Sequence, residues 1–288
     1  MDHVVIILLQ LAVTVANLVL ISMGLAIIFG MMRVINLAHG EFLMIGGYAA
    51  LVSHRAGVNL WVAMFIVAPV IVGLIGVLLE RLIIRRLYSR MIETMLATWG
   101  ISLALIGIVS IIFGNTVSGI SPPLGSLAVG QYAIGYYELL MVVVATAVLG
   151  GGWVLLRKTG FGLIARGTMQ NRQMAGSLGV NEDRVFAFTF GIGAAVSGLA
   201  GALIAPITGV VPTIGAAYIA KAFITVISGG TAILAGTLSS ASLLGVVNTL
   251  VSFAMSPVLG EVALLAAAVV LLRLLPQGIT GRFFKRSL

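Results

Sequence analysis

Gly30 to Tyr48 reads GMMRVINLAHGEFLMIGGY, and within it Arg33, Asn36, His39 and Glu41 bring a cation, an amide, an imidazole and a carboxylate into an otherwise apolar N-terminal third. A bare charge at the centre of a bilayer costs at least about 2.5 kcal/mol, so such groups belong at an interface, in a protein-lined cavity, or paired with one another. Glu41 is spaced to pair with Arg33 or to accept from His39, and Gly40 relieves the backbone for a turn between two helix pieces. Two readings fit this block: an interfacial turn whose charges cap and orient helices, or a gate beside a translocation path. Lys221, inside the apolar AAYIAKAFITVISGG, is likewise open to two readings. It either snorkels to the interface or faces a pathway, where it meets a substrate carboxylate or pairs with Glu261. Thr98, Ser102, Thr225, Ser239, Ser242 and Asn248 either line a polar path or bond neighbouring helices.

Catalytic chemistry finds little to use. Gly152 to Thr159, GWVLLRKT, has the length of a phosphate-binding loop, but Arg157 stands where the second glycine must be, and the segment ends an apolar run instead of a strand. The three histidines, His3, His39 and His54, form no H-E-x-x-H, so no metal site is expected. With no cysteine, disulfides and thiolate chemistry are excluded.

The elements that position these residues are hydrophobic. Of 288 residues, 60% are hydrophobic and 8% charged, which marks an integral membrane protein. The Met1-Asp2-His3 start has no basic region, so the first apolar run is expected to be a retained helix. The net charge of +8 is gathered in clusters that each follow a hydrophobic run: Arg81 to Arg90, Arg157 to Arg184, and Arg282 to Arg286. That is the positive-inside pattern; it orients the chain and implies no nucleic acid.

Apolar runs are expected at 4–32, 60–79, 94–113, 137–156, 185–205, 233–255 and 258–275, with short or broken pieces at 42–52 and 216–227. The expected fold is all-α and polytopic, with about nine crossings in a range of about eight to ten and short broken or re-entrant helices. The N-terminus is placed outside and the C-terminus in the cytoplasm, and the uncharged 114–135 loop suits the outer face. A Gly-interrupted short segment in each half is a pointer to a central pathway. Gly193, Ser197 and Gly201 recur at four-residue spacing, which lets another helix approach closely. The chain reads as one transmembrane domain, 1–288, carrying a polar loop at about 157–184. In that loop a helix from Leu163 to Leu178 is expected to end at Gly179, and Asn181 to cap the next helix with Glu182 and Asp183 in its first turn. A solvated basic loop is the plainer reading of the same residues.

Two stretches, RVINLAHGEF at Arg33 to Phe42 and the region from Arg166 to Leu203, resemble the membrane permease subunits of branched-chain amino-acid ABC importers, whose sister permeases carry urea and short-chain amides. The likeness includes ETMLATWG at Glu93 to Gly100, Lys221 to Gly230 and Leu275-Pro276-Gln277-Gly278. It implies a permease half that binds no cofactor itself, with ATP and magnesium held by partner subunits. The implied partners are a second related permease or a second copy, two ATP-binding cassette subunits and a periplasmic substrate-binding protein, in a bacterial inner membrane. Gln173-Met174-Ala175 followed by Gly179 matches the E-A-A-x-x-x-G spacing of coupling helices, with Gln173 in place of the usual glutamate. The resemblance therefore assigns Arg166, Asn171, Arg172, Gln173, Met174, Ala175 and Gly179 to coupling. Asn36, His39, Glu41, Thr98, Ser102, Lys221, Thr225 and Asn248 are the residues expected at a pathway or gate. Lys221 in its K-A-F setting resembles the amino-acid members, whereas ATWG and MQNR resemble the urea and amide members; amino acids are favoured. An ion-coupled secondary transporter is the reading of another class, and it needs no coupling helix.

Overall fold

In the computed structural model, residues 2–283 are described, apart from 89 and 131. Lys285 and Arg286 of the expected basic tail lie outside them. The described chain is helical save for one hairpin. Its elements run α1 (Asp2–Met32), α2 (His39–Arg55), α3 (Leu60–Val62) leading through a π-helical segment (Ala63–Val67) into α4 (Ala68–Leu82), and α5 (Met91–Phe113). Then come β1 (Ser126–Val129), β2 (Tyr132–Gly135), α6 (Tyr136–Lys158), α7 (Gly160–Gln170), α8 (Arg172–Ser177) and α9 (Glu182–Thr208). The last are α10 (Ile214–Gly229), α11 (Ile233–Ala254), α12 (Pro257–Leu274) and α13 (Gly278–Phe283). Among the described residues seven helices, counting Leu60–Leu82 and Pro257–Gly281 each as one, are long and apolar enough to cross a membrane, and α10 is a shorter apolar helix. The chain is an all-α, multi-pass membrane protein, as its composition predicts.

Contacts divide the chain into two compact units. The larger holds 23–121 and 151–220, and α9 is its axis: 72% of its apolar window is buried, against 39% or less for every other candidate span. The reason is the small-residue face. A β-carbon added to Gly193 would lie 2.5 Å from Ile28 Cγ1, one on Gly198 2.6 Å from Val72 Cβ, and one on Gly201 2.7 Å from Leu43 Cα. These glycines bring the backbones of α1, α2 and α4 against α9, the close packing that membranes reward in the absence of a water-driven hydrophobic force. Phe42 and Phe190 meet edge to face at 5.9 Å within a cluster that includes Ile28, Val34, Val72 and Ile84.

The expected break at 42–52 is absent. α2 is one helix of 17 residues through Gly46 and Gly47, whose missing side chains make room for Gly198 and Val210. Two glycines in a helix here record close packing, not a bend. Likewise Pro206 lies inside α9, which continues to Thr208 and ends at Gly209, φ 73°. The π segment has a local cause. Pro69 has no N–H to offer its own turn, and the Ala68 N–H donates to Ala63 O, five residues back.

The smaller unit holds 1–22, 122–150 and 221–288. Its hairpin pairs Ser126 with Gly135 and Leu127 with Ile134, and packs Ile134 on Ile6 and Val13 of α1. At its other end, α10 and α11 close on each other at Gly229 and Gly236, and Thr280 Oγ1 donates to Gly229 O at 2.6 Å while accepting from the Ala232 N–H. Thr280 thus bonds to the backbone that links α10 and α11.

Candidate functional site

Three groups of residues carry the site, two in the larger unit and one in the smaller.

The first lies where α1 stops. Arg33 closes α1 by donating its N–H to Phe29 O, and takes φ 52°, the one positive φ at a non-glycine among the described residues. A helix commonly ends with glycine in that conformation; for an arginine the left-handed backbone costs about 1 kcal/mol. After the turn, Asn36 Oδ1 accepts from the Ala38 N–H at 3.0 Å, and the Leu37 N–H donates to Thr98 Oγ1 at 3.1 Å. His39, Gly40 and Glu41 then open α2 fully buried. His39 Nδ1 is 3.3 Å from Ser197 Oγ of α9, and Glu41 Oε1 accepts from Ser102 Oγ of α5 at 2.8 Å.

Glu41 therefore bonds to Ser102, not to Arg33 or His39. The physical reason is direction: Arg33 is exposed at the end of α1, while Glu41 is carried into the core by α2. Glu41 Oε2 and Asn36 Nδ2 are buried without a hydrogen-bond partner. Gly215 lies against this carboxylate, since a β-carbon there would be 2.6 Å from Oε2. Asn36, His39, Glu41, Thr98 and Ser102 thus form one buried polar set tying α2 to α5 and α9.

The second group is the polar loop. The expected single helix from Leu163 to Leu178 is two helices, because Asn171 leaves helical geometry (φ −149°, ψ 100°) and its side chain caps α8 by accepting from the Met174 N–H at 2.9 Å. Asparagine competes for backbone donors in this way, so it sits at caps more readily than inside helices. Gly179 takes φ 84° after α8, and Asn181 caps α9 through the Arg184 N–H, both as expected from the sequence. Arg172 pairs with Glu182 and has its guanidinium 3.9 Å from Asp183, with its plane over Tyr88 and Phe186. Asp183 also pairs with Arg85. Tyr88 donates to Glu80, and burial together with that carboxylate pushes the Tyr88 hydroxyl above the usual tyrosine range. Arg166 donates to Gly162 O at 3.3 Å. Ala175 is buried, whereas Gln173, Met174, Leu178 and Gly179 are exposed. The loop is a braced platform with an apolar, uncovered α8 face.

The third group is in the smaller unit. Lys221 Nζ of α10 donates to Glu261 Oε1 of α12 at 2.6 Å. Thr225, one turn on, is fully buried and donates to Lys221 O, and Asn248 of α11 is half-buried beside the approach of Gly260. The glutamate is 56% exposed, although both partners lie in strongly apolar helices.

No group of three or more metal-ligating side chains occurs among the described residues. The near-match to a phosphate loop is the end of α6, and its Thr159 accepts from the Gly162 N–H as the cap of α7. Sequence reasoning missed Gly215 and Ser197 as neighbours of Glu41 and His39; only the shape of the packed helices brings them together.

The family described as "Branched-chain amino acid transport system / permease component" matches residues 7–275. The chain is 31% identical over 286 residues to the high-affinity branched-chain amino acid transport system permease protein LivH of Escherichia coli (strain K12), an alignment covering 91% of each chain. It is 28% identical over 284 residues to the probable branched-chain amino acid transport permease protein LivH of Methanocaldococcus jannaschii, covering 93% of this chain and 90% of the relative. It is 27% identical over 280 residues to the permease protein BraD of Pseudomonas aeruginosa, covering 91% of each. No solved structure matches the chain significantly.

Proposed function

The chain belongs to the branched-chain amino-acid transport permease family, and from that premise we propose that it is one half of the membrane pathway of an ATP-driven importer for branched-chain amino acids. A second related permease or a second copy completes the pathway, two ATP-binding cassette subunits hydrolyse ATP, and a periplasmic binding protein delivers the substrate. The N-terminus lies outside and the C-terminus in the cytoplasm of a bacterial inner membrane, in keeping with the basic loops at Arg81 to Arg90 and Arg157 to Arg184.

The observation that carries the substrate reading is the Lys221–Glu261 pair. Ionised groups in apolar helices are stable only where they pair and face protein or water, so an exposed face bearing this pair calls for a water-filled path or a covering subunit. An amino acid carries one ammonium and one carboxylate, and both can exchange partners with such a pair. Urea and short amides are neutral and have no charge to exchange.

Coupling is assigned to α8. Met174 and Leu178 are 59% and 78% exposed, an apolar surface suited to a partner protein, while Arg172 and the caps at Asn171 and Asn181 hold that surface against α9. In this reading Arg166, Asn171, Arg172, Gln173, Met174, Ala175 and Gly179 transmit ATP-driven movement, and no cofactor is bound by the chain itself.

The test is uptake by proteoliposomes holding the assembled transporter and its binding protein. Labelled leucine and valine are expected to accumulate only with ATP inside, and urea and acetamide are not. Uptake of leucine without ATP, or of urea in preference to leucine, contradicts the reading.

A further inference from the structure

A second polar site shares Arg172 with the coupling loop and is otherwise built from residues that neither the pathway nor the coupling surface uses. A cavity of about 330 Å³ opens in the larger unit between the end of α1, the start of α5 and the α7–α8 junction. Arg33, Arg90 and Arg172 line it, with Thr94 and Thr168; its remaining wall includes Met31, Met32, Met91 and Met169, and no acidic side chain is among the described residues that line it. Arg172 is neutralised by Glu182 and Asp183 behind the wall. Arg33 and Arg90 are exposed and make no ion pair among the described residues. Arg90 is also the N-cap of α5 and caps it with no side-chain acceptor, which leaves first-turn N–H groups of a 23-residue helix near the two guanidiniums, with Glu93 exposed in that same turn but outside the cavity lining. Arg33 holds its place at a backbone conformation that normally belongs to glycine.

Depth decides what such a cavity takes. Met32 ends one candidate span and Met91 begins another, so the cavity lies where two spans meet the headgroup region on the face that carries the basic loops. Two guanidiniums at that level with methionines in the same wall match an amphiphile with an anionic phosphodiester head and an acyl chain. Methionine suits the second part, because its unbranched thioether adapts to an irregular apolar occupant. Basic pockets between spanning helices on the cytoplasmic side hold anionic lipid headgroups by this combination of charge and apolar surface. We propose that the Arg33–Arg90 cavity is a binding site for an anionic phospholipid. The placement of the site rests on the orientation proposed above, but its existence does not depend on the transported substrate.

The chain's own geometry supplies the decisive variant. Arg33→Gly removes the cation and puts the preferred residue at a left-handed helix end, so it is expected to fold at least as well as the parent. The full-length chain is purified in zwitterionic detergent, alone and with the subunits that co-purify with it. It is then titrated with dioleoyl phosphatidylglycerol, dioleoyl phosphatidylcholine or inorganic phosphate, and bound lipid is read by native mass spectrometry and thermal stability. Phosphatidylglycerol is expected to bind saturably and about tenfold more tightly than phosphatidylcholine. Arg33→Gly and Arg90→Gln are each expected to lose most of that preference, and Arg157→Gln, a basic residue outside the cavity, to keep it. Equal binding of the two lipids, or an unchanged preference in both cavity variants, overturns the proposal. Binding of phosphate as tight as that of the lipid assigns the site to a free anion and overturns it too. Loss of the lipid on assembly with the other subunits gives the cavity to a protein partner, with the same result. Failure of leucine uptake in the preceding test leaves these outcomes unaffected, so the two readings fail separately.

Discussion

Glu41 and Glu261 are both carboxylates in apolar helices, yet the structure treats them in opposite ways. Glu41 is 2% exposed, accepts one hydrogen bond from Ser102, makes no salt bridge among the described residues, and lies against Gly215 in a core where α2 and α9 touch through glycine. Glu261 is 56% exposed and bonded to a lysine. The first is held by packing and the second by charge. A group enclosed on every side positions helices, whereas a paired charge at an open face can meet a charged substrate. The motif with the most polar residues in the sequence is therefore better suited to bracing the pathway than to lining it.

The largest expected effect breaks the packed side of this contrast. Gly201→Leu drives a side chain into the backbone of α2 at Leu43, and overpacking of this kind costs about 3 kcal/mol where the backbone cannot yield. The yield of monodisperse protein in detergent is expected to collapse; wild-type yield and thermal stability would show that the α2–α9 contact is not fixed. Next in size, Glu261→Ala removes the carboxylate to which Lys221 Nζ donates and is expected to cut leucine uptake at least about tenfold, with normal membrane insertion, because the charge pair that would meet the substrate is broken. The exchange Lys221→Glu with Glu261→Lys sharpens the point. If the pair only holds α10 to α12, uptake returns in the exchanged protein; if it meets the substrate, expression returns and uptake does not.

Glu41→Gln is expected to be milder. The amide keeps an acceptor for Ser102 and replaces a buried carboxyl that no cation among the described residues pairs with, so uptake should remain within about twofold and stability within about 1 kcal/mol of the parent. Loss of uptake with unchanged stability would move Glu41 from bracing to transport. Smallest is Ser102→Ala, which deletes one neutral donor to Glu41 and should lower stability by about 1 kcal/mol, measured by thermal unfolding in detergent.

Much of this contrast was legible in the chain itself, and the remainder has clear physical causes. The spans follow from apolar length, and the α9 seam from Gly193, Ser197 and Gly201 at one face of a helix. Asn181 and Gly179 show local capping chemistry, so they read correctly from sequence. Glu41's acceptance from Ser102 spans 61 positions and depends on how α2 and α5 cross, which no local spacing encodes. Asn171 could cap or continue a helix, and only its place before α8 decided for the cap. The β1–β2 hairpin arose in a Gly/Ser/Pro-rich stretch with no strong alternation, because its apolar side packs on α1 instead of forming a sheet core of its own. Gly46 and Gly47 misled as a break, since the same residue type serves both bends and close approach.

The chain contains no cysteine, so single-cysteine variants can be labelled without altering any other position. The most direct test places one cysteine at Glu261 and, separately, one at Glu41, in the assembled transporter. A membrane-impermeant, positively charged thiol reagent is then applied with and without leucine and the binding protein. The cysteine at Glu261 is expected to react with or without leucine, since the position is open and loss of its carboxylate already impairs uptake, and the one at Glu41 to stay unlabelled throughout. Labelling at Glu41 with protection by leucine, and none at Glu261, would contradict the account by placing the path through the packed core.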